Sequence, residues 1–113
     1  MNKALLRHDK LVDLTIDDMI ENHGWKIHEL HALQPYTNNG MDGEIDLYAV
    51  RGKYIFLFEM KCSLTQKTYT KAQNQTSRAI HYFFESHINK LRIFPIMVHY
   101  DLNNKKGFTY RKL

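Results

Sequence analysis

Two short stretches, Gly43-Glu44-Ile45-Asp46-Leu47 and Phe58-Glu59-Met60-Lys61, lie on either side of the dipeptide Gly52-Lys53 and restrict the fold of this chain more than anything else in it. Glycine in the first of two loop positions suits a type II′ turn, so the segment from about Glu44 to Ser63 reads as a β-hairpin. With Gly52-Lys53 as its loop, the numbers of facing residues sum to one constant. Asp46 then falls opposite Glu59, and Glu44 opposite Lys61. Strand side chains alternate, so these four are expected on one face. Ile45, Leu47 and Ala49 against Phe56, Phe58 and Met60 are expected to make the other face wholly apolar. Facing carboxylates lie about 5 Å apart at Cβ and repel each other. A fold keeps such a pair when positive charge sits between them, and a divalent metal is the usual answer. A lysine beside that metal suggests hydrolysis of a phosphodiester.

At 113 residues the chain is expected to be one compact domain, 1–113, long enough to bury a core without staples. Sixteen Lys and Arg against twelve Asp and Glu leave a net charge of +4, which permits a polyanionic partner without requiring one. The lone cysteine, Cys62, excludes an intramolecular disulfide and reads as a small buried hydrophobe on the apolar side of its strand. The first eight residues hold no apolar run of signal-peptide length, and no window approaches a membrane span. An intracellular location, cytoplasmic or nucleoid-associated, and no membrane partner are the expectations.

Leu5 to about Asn22 reads as a helix with an apolar stripe of Leu5, Val12, Ile16, Met19 and Ile20, closed by Gly24. Trp25 to Leu33 reads as a first strand, and Gln34 to Asp42 as a loop placed to lie over the charged hairpin. Tyr54 to Phe58 is apolar at every second position on both parities, which predicts a central strand covered from both sides. Thr65 to Thr70 reads as a loop. Lys71 to Ser86 reads as a second helix with Ala72, Ala79, Ile80 and Phe83 inward. Leu91 to Tyr100 is a strand whose Pro95 points to an edge or a bulge. Asn103 to Gly107 is a turn before a last strand, Phe108 to Arg111. The order α-β-β-β-α-β-β makes the fold class α/β, a mixed sheet flanked by helices.

Asp46 and Glu59 are hard oxygen ligands of the kind Mg²⁺ uses together with water and phosphate oxygens, and Mn²⁺ accepts the same set. The Met60 carbonyl is a further donor near them. Lys61, two residues beyond Glu59, is placed to orient the attacking water or to neutralise the transition state. Taken alone, Glu-x-Lys on a strand is most often a surface salt bridge. The in-register Asp46 and the apolar residues on both sides of Glu59 argue for a site instead. For Glu44, a structural salt bridge to Lys61 is favoured over a ligand role.

The run Gly-Glu-Ile-Asp-Leu-Tyr-Ala, then Ile-Phe-Leu-Phe-Glu-Met-Lys-Cys-Ser, between a first helix and a helix carrying Gln75, resembles the PD-(D/E)xK nuclease superfamily, and within it the archaeal Holliday-junction resolvases. The resemblance covers most of the chain and implies a restriction-endonuclease-like core and Mg²⁺-dependent cleavage of DNA. It implies that Asp46 and Glu59 hold the metal and that Lys61 positions water. A first-helix acid of the family, counted back from Gly24-Trp25, lands on Asp13, shorter than the family's Glu by one methylene. Gln75 matches a site-facing glutamine of the second helix. The family's proline before the Asp has no counterpart in Met41-Asp42-Gly43-Glu44.

His28-Glu29-Leu30-His31 lacks zinc-protease spacing; His81 and His87 read as surface residues and Trp25 as a core aromatic. Lys67, Lys71 and Arg78, on one side of the second helix, are candidates for phosphate contact as readily as for a solvated face. The expected function is a metal-dependent endonuclease acting on DNA, including branched DNA, as a homodimer with Phe108 and Tyr110 as interface candidates. The alternatives are a restriction-type, repair or single-strand nuclease of the same superfamily, and a non-catalytic nucleic-acid-binding module on the same fold.

Overall fold

The structure, a computed structural model, describes residues 3–38, 41–61, 65–84, 92–100 and 107–113. Helix α1 (Lys3–His23) is followed by a 3-10 turn (Ile27–Glu29) and strands β1 (Leu30–Asn38), β2 (Met41–Arg51) and β3 (Tyr54–Lys61). Helix α2 (Gln66–Phe83) and strands β4 (Arg92–Tyr100) and β5 (Phe108–Lys112) complete it. The strands form one five-stranded sheet in the order β1-β2-β3-β4-β5. Only the β3–β4 pair is parallel, so the sheet is mixed, and α2 makes the crossover that a parallel pair needs. No helix among the described residues is long and apolar enough to cross a membrane.

The hairpin register is the expected one. Arg51 faces Tyr54 and the pairing runs through Leu47 and Phe58, with Gly52 at φ +61 as the turn demands. β3 is central and covered on both sides. Its Phe58 and Met60 pack under α1 with Leu11, Val12 and Met19, while Ile55 and Leu57 join Ala79 and Phe84 on the α2 side.

Several expectations are corrected. Residues 25–29 are not strand, and β1 continues through the expected loop to Asn38. β1 is an edge strand, so Pro35 takes no donor from the sheet interior. α2 begins at Gln66, not Lys71, because Thr65 caps it: its hydroxyl accepts from Thr68 N (3.2 Å) and its own N–H donates to the Thr68 hydroxyl (3.0 Å). β4 is an interior strand despite Pro95. The Pro95 carbonyl accepts from Leu113 N at 3.0 Å, beyond the last β4–β5 pair, Ile96 with Lys112. N–H and C=O of one strand residue point the same way, so the donor that proline lacks faces Leu113, just past the end of β5, and the β3–β4 pairing runs through Pro95 uninterrupted. On α1 the buried residues are Leu11, Val12, Thr15 and Met19, whereas Ile20 is 37% exposed. Tyr110, an expected interface residue, is half-buried and donates its hydroxyl to Asp18 at 2.6 Å; Phe108 is half-buried and packs on Tyr100. The expectations for Cys62, His87, the end of the second helix at Ser86 and the turn from Asn103 to Lys106 lie outside the described residues.

Candidate active site

Away from the Gly52 turn, β2 and β3 part. Their pairing stops at Leu47 and Phe58, one step before Asp46 and Glu59. The β1–β2 ladder also skips Asp46, and the residue that its register would set opposite, Leu33, has φ +51, a region side-chain-bearing residues avoid. The alternation of β2 changes there. Leu47 and Ala49 lie on the α1 side, yet Ile45 packs on the α2 side with Tyr48, Ile55 and Leu57. The expected apolar face therefore loses Ile45, because a strand that breaks both ladders at one residue does not keep its parity.

The break releases the Asp46 carboxylate to make bonds of its own. Oδ2 accepts from Met60 N at 2.9 Å, taking a donor that the ladder would otherwise use. Oδ1 lies 2.9 Å from His8 Nε2, reaching in from α1. Asp46 is 4% exposed and Glu59 7%. Burial, then the Asp46 charge, push the Glu59 carboxyl up to about 8; a hydrogen bond between the two acids adds to this, and the charges of Lys61 and His8 oppose it. The hydrogen bond to Asp46 raises His8 to about 9 against the opposing effect of its own burial. The two acids thus lie together one step past the end of the hairpin pairing.

Lys61 Nζ is 3.7 Å from Glu59 Oε1 and donates to Gln75 Oε1 on α2. The Lys61 carbonyl lies 3.1 Å from His99 Nδ1, which ties the end of β3 to β4. Lys67, Lys71 and Arg78 are exposed and share a helical side with Gln75, at spacings of four and three residues. Arg78 and Glu59 both act electrostatically on the Tyr36 hydroxyl of β1, whose pKa burial raises. The Tyr36 ring covers Gly43 so closely that an added Cβ would stand 2.3 Å from it.

Two expected residues are not in this cluster. Asp13 is exposed, five residues and about 140° around the helix from His8. Glu44 is exposed, and among the described residues the ion pair of Lys61 is with Glu59 instead. His8 takes the α1 position that Asp13 was expected to fill. The sequence carried a signal for it, since His8 continues the buried Leu11–Thr15–Met19 stripe one turn toward the N-terminus. The rejected zinc motif is also accounted for: Glu29 pairs with Arg51, and His31 stacks on Tyr48 at 4.7 Å.

Among the described residues no three His, Cys, Asp or Glu side chains are placed to hold a metal together. The donor set is two buried carboxyls, one of them raised well above the usual carboxylate range by burial and by its neighbour. Such a pair suits a hard cation that completes its shell with water and phosphate oxygens, as Mg²⁺ and Mn²⁺ do, and not one that requires nitrogen or sulfur. Compared with models of protein families, with curated proteins and with solved structures, the chain matches none of them.

Proposed function

We propose that this chain is a metal-dependent endonuclease hydrolysing phosphodiester bonds in DNA, branched DNA among its candidate substrates, on a core of the PD-(D/E)xK kind. The reading is carried by one observation: two buried acids, Asp46 and Glu59, converge where β2 and β3 part, with Lys61 beside Glu59. Asp46 and Glu59 would hold Mg²⁺ or Mn²⁺. When bound, that ion lowers the pKa of water and stabilises charge on the scissile phosphate.

The residues of the chain have distinct tasks in this reading. Met60 N and His8 fix both oxygens of Asp46. Gln75 accepts from Lys61 and so aims its ammonium at the Glu59 side of the site, where it orients water and neutralises developing charge. Lys67, Lys71 and Arg78 meet phosphates, so binding weakens steeply as salt rises. A symmetric homodimer would set two such sites for paired cuts.

The test is a panel of four-way junctions, flaps, duplex and single strands incubated with Mg²⁺, Mn²⁺ or EDTA. Cleavage is expected only with metal, and Lys61→Ala is expected to abolish it while DNA binding persists. Cleavage by Lys61→Ala at the wild-type rate sinks the assignment.

A second reading has its own observation. His8, raised to about 9, already sets a cation against Asp46 at neutral pH. A non-catalytic DNA-binding module would need nothing more to keep its acids together. Salt-sensitive DNA binding without cleavage in any metal selects this reading over the first.

A further inference from the structure

The α1 side of the sheet has a second chemically distinct surface, at the opposite end of β3 from the acids. Tyr54 lies five residues from Glu59 along the strand, about 16 Å away. In the parallel register Tyr54 faces Arg92, Phe56 faces Phe94 and Phe58 faces Ile96, so these side chains share one side. The Phe94 ring is near-parallel to Phe56 (5.2 Å, 23°) and to Tyr54 (6.2 Å, 21°). Tyr54 is 48% exposed and leaves the row open. Beside the row run two adjoining hollows of about 290 and 310 Å³ that share Phe56, Ile96 and Tyr110. Trp25 walls the first hollow and Lys112 the second.

Two carboxylates border this face, Asp18 behind Tyr110 and His23, and Glu29 behind Arg51, and both are taken up by those partners. Neither hollow is lined by a carboxylate. Arg92 and Lys112 are exposed, and among the described residues neither forms an ion pair. Arg51 lies 4.3 Å over the Trp25 ring, with its charge already met by Glu29. A second copy docked by two-fold symmetry would set this cationic rim against itself. The complementary ligand is anionic and carries flat aromatic groups.

We propose that this face binds an unpaired stretch of nucleic-acid strand, its bases stacking on Tyr54 and the adjoining rings and its phosphates meeting Arg92 and Lys112. Every base has a π-face, so such a platform is sequence-tolerant, and the cations track the backbone. The inference does not depend on cleavage, because the face is separate from the acids.

The experiment is fluorescence anisotropy of the full chain with a labelled thymidine oligomer of about twelve nucleotides, in EDTA, across a salt series. Tyr54→Ala is expected to weaken binding about tenfold, within the range for loss of one base–aromatic stack, while Tyr54→Phe keeps wild-type affinity. Tyr54 is half exposed, so neither change threatens the fold. Lys112→Ala is expected to take about 0.7 from the slope of log affinity against log salt, the value for one phosphate on a single strand. An abasic oligomer of equal charge should bind more weakly. The proposal is overturned if the wild type does not bind the oligomer, if Tyr54→Ala binds as tightly as the wild type, or if the abasic strand binds equally. It is also overturned if sedimentation shows a dimer that Tyr54→Ala dissociates. EDTA keeps the outcome apart from that of the cleavage assay.

Discussion

Glu59 is buried beside a second acid, so its ionised form is unfavourable until a cation stands near. In the metal-free protein it keeps its proton from its ordinary 4.5 up to about 8, and His8 keeps its proton from 6.5 up to about 9. Both folded-state values are raised, so the folded chain binds more protons than the unfolded one across that window. Stability in EDTA is therefore expected to fall as pH rises from about 4.5 to 9. Urea unfolding at a series of pH values checks this. Glu59→Gln should flatten the part of the profile between 4.5 and 8, and His8→Ala the part between 6.5 and 9. A Glu59→Gln profile that overlays the wild type removes Glu59 from the buried pair. Asp46→Asn should weaken any metal and, by removing the charge that faces His8, return His8 toward its ordinary 6.5.

Between elements, the 3-10 turn is fastened to β2 by a bidentate pair: Arg51 Nε and Nη2 each lie 2.8 Å from a Glu29 oxygen. The Arg51 hydrogen bonds, aided by Lys26 N, bring the Glu29 carboxyl down to about 2. A depressed value means stability that is present above 4.5 and lost as pH falls toward 2, so this clamp contributes to the acid flank of the profile together with Asp18, weakly because the pair is exposed to solvent. Arg51→Ala should return Glu29 toward its ordinary value in an NMR carboxyl titration, and an unmoved titration would contradict the pairing. At the start of α2, Thr65→Ala removes the cap and should cost about 1 kcal/mol in urea unfolding. That cap explains why the helix starts earlier than its apolar pattern: a polar first turn reads as loop until Thr65 and Thr68 are seen bonding each other.

Across the whole molecule, the site exists only where three pieces meet: the open end of the β2–β3 hairpin, one residue of α1 and one face of α2. A divalent ion that binds this assembly and not the unfolded chain stabilises it by mass action, about 2.7 kcal/mol at a hundred times its Kd. Binding requires Glu59 to lose its proton, so affinity should be greater at pH 8 than at pH 5. Thermal melts with Mn²⁺ are therefore expected to shift upward by several degrees at pH 8 and very little at pH 5. No shift at either pH favours the reading in which His8 alone balances the acids.

The hairpin register and the central place of β3 follow from local rules: a glycine-led turn and a run of apolar residues on both parities. Gln75 is singled out only by a resemblance, and in the structure it accepts from Lys61. Local rules failed where a partner from elsewhere in the chain decides the outcome. The parity of Ile45 changes because Asp46 gives up both ladders to bond Met60 N and His8. Pro95 sits in an interior strand because its missing donor faces the last step of the β4–β5 pairing and not β3. On α1 the choice between His8 and Asp13 rests on which side of the helix meets β2, and a one-residue rotation of the apolar stripe settles it. The helix pattern puts His8 in line with Leu11, Thr15 and Met19, but that line is selected over its neighbour only by packing against a sheet that forms from residues far along the chain.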